Sequence, residues 1–274
     1  MKNLDCKSIL RQIPTEIKIK RELRKICFGK YLRCPLCGTR NLKKYEARYH
    51  CKRCRRFFSL KSVSWFKGSK LSWQTLWLLL WCFVNKVPVD QTMKISGKSE
   101  ITVRHWFDKF RANLPQEIGL RLKGIVQGDE FYRGGKKNGY SIIGMKQKGT
   151  RKVVLEVIKK PSVNRKDIVK VLAQTVIPGS KFYTDGSSIY KTIEKWWIVR
   201  HQCELHKNFE FELTSEIEGV WGNFITFIRR MYHHITLDKL EEYVHEFQMR
   251  FSHPKIFESP FMFLQFTLST VSSC

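Results

Sequence analysis

Apolar and polar positions follow different periods along this chain, and the changes of period divide it. From 71 to 84 apolar side chains succeed one another almost without a break, as in a helix buried all round. Beyond it, Val87-Pro-Val-Asp-Gln-Thr-Met-Lys-Ile95 predicts a short helix with Pro88 in its first turn, and Ser96-Gly97-Lys98 predicts a turn. Residues 99–113 then predict a second helix with Ser99 at its N-cap. There Val103, Trp106, Phe107 and Phe110 recur at i, i+3, i+4 and i+7, which is one core face. Ser99, Thr102, Arg104, His105 and Lys109 are left to face outward.

From 124 the pattern becomes strand-like. Runs at 124–132, 140–147 and 153–159 predict three adjacent strands, Arg165–Val176 a helix, and 180–185 and 196–202 two further strands, a β-β-β-α-β-α-β order. Helices return from about 215 to 251, the first with Glu218, Trp221, Gly222 and Ile225 on one stripe, where Trp221 reads as core packing. The expected fold is multidomain α+β. A basic lead-in covers 1–30, four cysteines and short β-like stretches 31–60, helices 61–115, and an α/β domain 120–255. Asn113-Leu-Pro-Gln-Glu forms the boundary before the last of these.

Composition sharpens the picture through charge. The 274 residues carry 51 Lys and Arg against 24 Asp and Glu, a net +27, with an ordinary 42% hydrophobic content. The imbalance is concentrated: residues 1–123 hold 29 basic and 8 acidic side chains, net +21, and the remainder 22 and 16, net +6. A surface this basic points to a polyanion, nucleic acid before an anionic membrane. The first residues, MKNLDCKSILRQ, lack an apolar core of leader length, and the most apolar run, Leu76–Val84, is about half a membrane span. An intracellular location is expected, nuclear in a eukaryote or cytoplasmic in a bacterium, with no membrane partner. Nine cysteines in a reducing compartment suggest metal ligands before disulfides.

Four of those cysteines have ligand spacing. Cys34-Pro-Leu-Cys37-Gly precedes Cys51-Lys-Arg-Cys54 by thirteen residues, and two such knuckles can present four thiolates tetrahedrally to Zn²⁺. Gly38 suits the tight turn after the first knuckle. A zinc ribbon of this size would draw its folding energy from the metal. His50 is a rival ligand that four cysteines make unnecessary. Arg53, Arg55 and Arg56 crowd the second knuckle as candidate phosphate contacts. The helix pair after it has the layout of a helix-turn-helix, whose second helix would offer Lys98, Ser99, Thr102 and Arg104 to a DNA major groove. A plain helical hairpin is the alternative reading of the same pattern.

Three acids sit where chemistry is done. Asp129 lies in the strand-like Gly124-Ile-Val-Gln-Gly-Asp129-Glu130, Asp185 ends a strand at a glycine turn, and Glu218 opens a helix. Acids placed so can converge on two hard divalent cations, Mg²⁺ or Mn²⁺, which would clamp an in-line phosphoryl displacement. The local rivals are Glu130, expected on the opposite strand face from Asp129, and Glu216, off the helix face of Glu218. Spacing alone does not decide among them.

The ordered set of motifs resembles a family. Cys34-Pro-x-Cys37-Gly, Cys51-x-x-Cys54, Gly-Asp129-Glu130-Phe-Tyr-x-Gly-Gly135-Lys136, Thr-Asp185-Gly186 with Tyr190, His206-x-Asn208-Phe209 and Glu218-Gly-x-Trp221 look like Merlin-type transposases, which group with bacterial insertion-sequence transposases. The likeness runs from about 31 to about 251. It implies an RNase H-like catalytic domain and a metal-binding triad of Asp129, Asp185 and Glu218. It further implies Lys136 near the first acid, His206 and Asn208 near the site, and cut-and-paste transposition between terminal inverted repeats. A homodimer or larger assembly would hold two DNA ends. The segment around His206 looks one residue shorter than the family pattern, and the apolar tail after Phe251 departs from it, as a truncated reading frame would. The alternative function is a transposon-derived DNA-binding protein without catalysis; a structure-selective nuclease is a third.

Overall fold

The computed structural model describes residues 13–117, 119–133, 139–203, 213–232 and 235–268. The chain divides into two compact units, one made of the residues up to Pro115 together with those from Lys255 on, the other of Gln116–Pro254.

In the first unit α1 (Glu16–Phe28) starts on Thr15, whose hydroxyl accepts the Lys18 N–H at 3.4 Å, and buries Ile19 and Leu23 one turn apart. The ribbon follows: β1 (Leu42–Tyr45), β2 (Arg48–Cys51) and β3 (Phe57–Phe58) pair antiparallel in chain order. It packs on α1 through Phe28, whose ring lies 6.0 Å from that of Phe58. Helix α2 (Trp73–Val84) is capped by Ser72 and buries nine of its twelve side chains, as its unbroken apolar pattern requires. Pro88 is the N-cap of α3 (Val89–Ser96), one position before the first turn expected for it, with ψ at 157°. Gly97 ends α3 in the left-handed region, φ 62°, where a glycine carries no Cβ penalty. Ser99 caps α4 (Glu100–Ala112), which buries Val103, Trp106, Phe107 and Phe110.

The apolar C-terminal stretch has a place in this unit. Residues Pro260–Leu268 form a helix that packs against α1 and α2. Phe263 and Leu264 are buried, with the Phe263 ring 5.8 Å from Phe83 and the Phe261 ring 4.2 Å from Trp77. Residues 260–268 of the stretch that departs from the family pattern thus contribute to this core, and 269–274 lie outside the described residues.

The second unit is a mixed sheet with helices on both faces. Its strands are β4 (Ile125–Arg133), β5 (Tyr140–Gln147), β6 (Val153–Ile158), β7 (Lys181–Thr184) and β8 (Arg200–Cys203), in the order β6-β5-β4-β7-β8. The first three pair antiparallel, and β7 and β8 join parallel. Helix α5 (Arg165–Thr175) makes the crossover from β6 to β7 and begins in a capping box of Asn164 and Asp167. The expected helix between β7 and β8 is replaced by short 3-10 turns at 188–190 and 193–195. The last strand is 200–203 instead of 196–202, because Trp196 and Ile198 stay exposed outside the sheet.

Alternation along β4 separates the two faces. Val126 joins Ile168, Leu172 and Phe182 in the core under α5. On the other face Phe131 stacks on Trp221 of α6 (Ser215–Met231), with ring centroids 5.5 Å apart. The core stripe of α6 is Ile217, Val220, Trp221, Phe224 and Ile228, so Glu218, Gly222 and Ile225 border it instead of forming it with Trp221. Helix α7 (Leu240–Ser252) covers the sheet edge, where Gln248 accepts the Leu155 N–H at 2.9 Å.

Candidate functional site

The four cysteines come together. The Sγ atoms of Cys34, Cys37, Cys51 and Cys54 all lie within 4.8 Å of one another, with Cys34–Cys54 at 3.6 Å and Cys37–Cys51 at 3.5 Å. A tetrahedron with metal–sulfur bonds of about 2.3 Å has edges of about 3.8 Å, so the donor set fits zinc. Each knuckle closes with the same turn: the Gly38 N–H donates to Cys34 O and the Arg55 N–H to Cys51 O, both at 2.9 Å. The fifth position is left-handed in both, at Gly38 (φ 69°) and, unusually for a side chain, at Arg55 (φ 58°). Burial pushes the Cys51 thiol up, but the Cys54 N–H at 3.4 Å and the neighbouring thiols of Cys54 and Cys37 outweigh it and lower it, while the same thiol contacts raise Cys37 and Cys54.

The expected DNA-contact residues divide. Arg53, Arg55 and Arg56 are exposed on the ribbon. On α4 Arg104 is exposed but bound to Glu100 at 2.7 Å. Ser99 and Thr102 turn their hydroxyls to each other, 3.0 Å apart, in the helix cap, and Lys98 is half-buried. Lys109 is not free on the outer face but lies over the Trp106 ring, 5.0 Å from its centroid. Lys136, His206 and Asn208 lie outside the described residues.

The three acids lie near one another where β7 ends beside the middle of β4. β4 and β7 are parallel neighbours in the register Gln127↔Tyr183; continued two residues, it sets Asp129 beside Asp185. Glu218 sits in the first turn of α6, over the face to which Asp129 points. Burial drives the Asp129 carboxyl up, the Glu130 N–H and the Trp221 indole oppose this, and the charges of Asp185 and Glu218 add to it, giving about 6. Asp185 accepts the Ser187 N–H at 3.1 Å and Glu218 accepts the Thr214 hydroxyl at 2.9 Å. Among the described residues no Lys or Arg pairs with any of the three, in a chain with 51 of them. Their oxygens do not all approach within 4.8 Å of one another as the thiols do.

The rivals are occupied elsewhere. Glu130 points to the opposite face and accepts the hydroxyl of buried Tyr190; burial and the charges of Asp129 and Asp185 raise it to about 7. Glu216 binds Lys146 at 2.8 Å and the Gly149 N–H at 3.0 Å; these hold its carboxyl below the usual range despite some burial.

Several residues that position the acids carry no signal in the pattern. Trp221, only 7% exposed, is core as expected, yet its Nε1–H also donates to Asp129 Oδ2 at 2.9 Å. Fully buried Gln127 accepts the Ile217 N–H at 3.0 Å, standing in for the side-chain cap that Thr214 does not provide. With the Glu216–Lys146 pair, these contacts bind the first two turns of α6 to the sheet at three points. The hint in the sequence was a tryptophan one helical turn beyond Glu218.

A mixed five-stranded sheet with uncompensated carboxylates in the middle of β4 and just past the end of its parallel neighbour β7 defines a candidate oxygen-rich cation site on an α+β core. Residues 121–252, a little under half of the chain, match the family described as ISXO2-like transposase domain. No curated protein matches. Among solved structures the chain is similar to one from a simian T-cell lymphotropic virus intasome in complex with PP2A regulatory subunit B56 gamma, at 13% identity and TM-score 0.37 over 64% of this chain and 68% of that one. It is also similar to the HTLV-2 integrase catalytic core domain in complex with magnesium, at 13% identity and TM-score 0.34 over 48% and 87%. Among the described residues no helix is long and apolar enough to cross a membrane.

Proposed function

We propose that the protein is a DNA transposase, Merlin-like in organisation, that cuts at its element's terminal inverted repeats and joins the freed ends to target DNA. The observation that supports this is the nearness of Asp129, Asp185 and Glu218, which act on one another's charge, without a basic partner among the described residues. In so basic a chain, mutual repulsion of this kind fits carboxylates that await a cation. The match of the surrounding segment to a transposase domain supports the same reading.

The three carboxylates would hold Mg²⁺ or Mn²⁺, which when bound supplies nucleophile activation and charge neutralisation for phosphodiester chemistry. Trp221 and the Glu130 N–H fix both oxygens of Asp129 in one rotamer. Hydrolysis at the element end breaks one P–O bond and frees a 3′-OH; that hydroxyl then attacks a target phosphodiester, exchanging one P–O bond for another. The ribbon would hold one structural Zn²⁺ and contact backbone phosphates through Arg53, Arg55 and Arg56. Helices α3 and α4 would act as a helix-turn-helix, Arg104 leaving Glu100 to read bases. Two ends must be held together, so the working form is at least a homodimer.

The test is cleavage of a duplex made from the DNA that flanks the gene, with Mg²⁺ or Mn²⁺. Asp129→Asn, Asp185→Asn and Glu218→Gln should each abolish cleavage and strand transfer together while DNA binding persists. Glu130→Gln and Glu216→Gln should be milder. Cleavage that survives all three triad changes would leave a DNA-binding protein without this chemistry.

A further inference from the structure

The lead-in helix offers no chemistry in the sequence, but the fold makes it one wall of a groove. Between α1, the β1–β2 hairpin and the segments around 59–61 and 70–73 lies a concavity of about 930 Å³ lined by seven basic and two acidic side chains. Both ends of α1 are fixed. Glu16 accepts the Trp73 N–H at 3.0 Å, and Phe28 packs on Phe58. The far wall is set by strand alternation: Tyr49 packs inward on Phe58, and its cross-strand neighbour Lys44 shares that face. The floor is held by Lys61, whose ammonium donates to Ser69 O and Leu71 O.

The cations of this groove are of two kinds. Lys20 is bound to Glu16 at 2.8 Å and Arg21 to Glu22 at 3.3 Å. Arg24, Lys44, Arg48 and Lys70 are exposed, and among the described residues none of these side chains makes an ion pair or hydrogen bond. Four unpaired charges on a prearranged concave surface repel one another at a cost that a polyanion would remove. A flat bilayer cannot enter a concavity, whereas a single ridge of phosphates can.

We propose that this groove is a second DNA-binding surface, one that grips the phosphate backbone of duplex DNA beside the segment read by α4. The inference rests on the DNA-directed function proposed above. Its contacts would all be to phosphate, so the groove adds affinity and sets orientation but contributes nothing to sequence choice.

The experiment uses the full chain and the combined variant Arg24→Ala/Lys44→Ala/Arg48→Ala, with zinc content and melting temperature checked against the parent. Binding to fluorescein-labelled duplexes, one of random sequence and one from the DNA flanking the gene, is measured over a range of salt. The variant should weaken on both duplexes by the same factor. Its slope of log K against log salt should be shallower by about three, since each phosphate left without its cation takes roughly 0.9 from the slope. Parent-like affinity and slope in the variant would overturn the groove and leave the transposase reading standing. A parent that binds neither duplex would overturn both. Unchanged duplex binding with lost binding to anionic phosphatidylserine vesicles or single-stranded RNA would assign the groove to another partner and overturn the proposal.

Discussion

At the scale of the residue, the site is built around the cost of keeping Asp129 charged. Its carboxyl titrates near 6 in the folded chain, and unfolded near 3.9. Between these values the folded state binds more protons than the unfolded one, so this group's contribution to stability falls as pH rises from about 4 to about 6 and stays low above. Glu130 extends the loss to about 7. In EDTA, the stability of Asp129→Asn relative to the parent should therefore improve between pH 4 and pH 8 by an amount on the order of 2–3 kcal/mol at 1.36 kcal/mol per unit, on top of a constant cost from the amide NH2 that faces one of the two N–H donors. Saturating Mg²⁺ should stabilise the parent and not the variant; thermal melting over this range checks both. Trp221→Phe tests the indole contact separately, since the ring can still stack on Phe131 while Asp129 loses a donor. A hydrogen bond to a charged group is worth about 1.5–3 kcal/mol, so the pH midpoint for Mn²⁺ binding should rise by about one to two units. An unmoved midpoint would reduce Trp221 to packing. Gly144 shows how tight this packing is: a Cβ there would meet Trp221 Cζ2 at 2.6 Å, in a ring already stacked on Phe131. Gly144→Ala should cost about 1–3 kcal/mol in overpacking and disturb Asp129 through the indole, seen as a lower melting temperature together with weaker Mn²⁺ binding.

At the scale of the element, what the sequence revealed depended on periodicity. The core face of α4 and the knuckle pair are set by local spacing, and the structure places Val103, Trp106, Phe107, Phe110 and the four cysteines as that spacing predicts. The first three strands were legible because each alternates or runs apolar between turn residues. The segment from 186 to 199 was not, since its tryptophans and isoleucine imitate a strand while Thr192 at φ 62° turns the chain instead. The contacts of Gln127, Lys146 and Trp221 were illegible for another reason: their partners lie roughly seventy to ninety residues away, and only tertiary packing pairs them. The ribbon gives a prediction at this scale. Its buried apolar side chains are few beyond Phe58 and the cysteines themselves, so metal should be decisive. Purified protein should hold about one Zn per chain, and Cys51→Ser should lose that zinc and its DNA affinity together. Full zinc in the variant would show that Cys51 is not a ligand.

At the scale of the molecule, the outermost segments of the chain belong to one unit and the carboxylate site to the other. The helix Pro260–Leu268 supplies Phe261, Phe263 and Leu264 to the same core as α1 and α2. A chain ending at Ser259 should therefore expose Trp77 and Phe83 and lose the cooperative melting of its first unit, while Gln116–Pro254 keeps its own transition; calorimetry distinguishes the two. The uneven charge fits this division, for most of the excess positive charge precedes residue 124. The arrangement also has a consequence in time. Proteins are made from the N-terminus at about 5–20 residues per second, and domains usually fold in that order. Here the unit begun first must wait while the whole of Gln116–Pro254 is synthesised, on the order of ten seconds at such rates, before its closing helix exists. The unit that holds the carboxylates can fold while the unit proposed to bind DNA is still unfinished, so a nascent chain, or one stopped before Pro260–Leu268, would not hold DNA firmly.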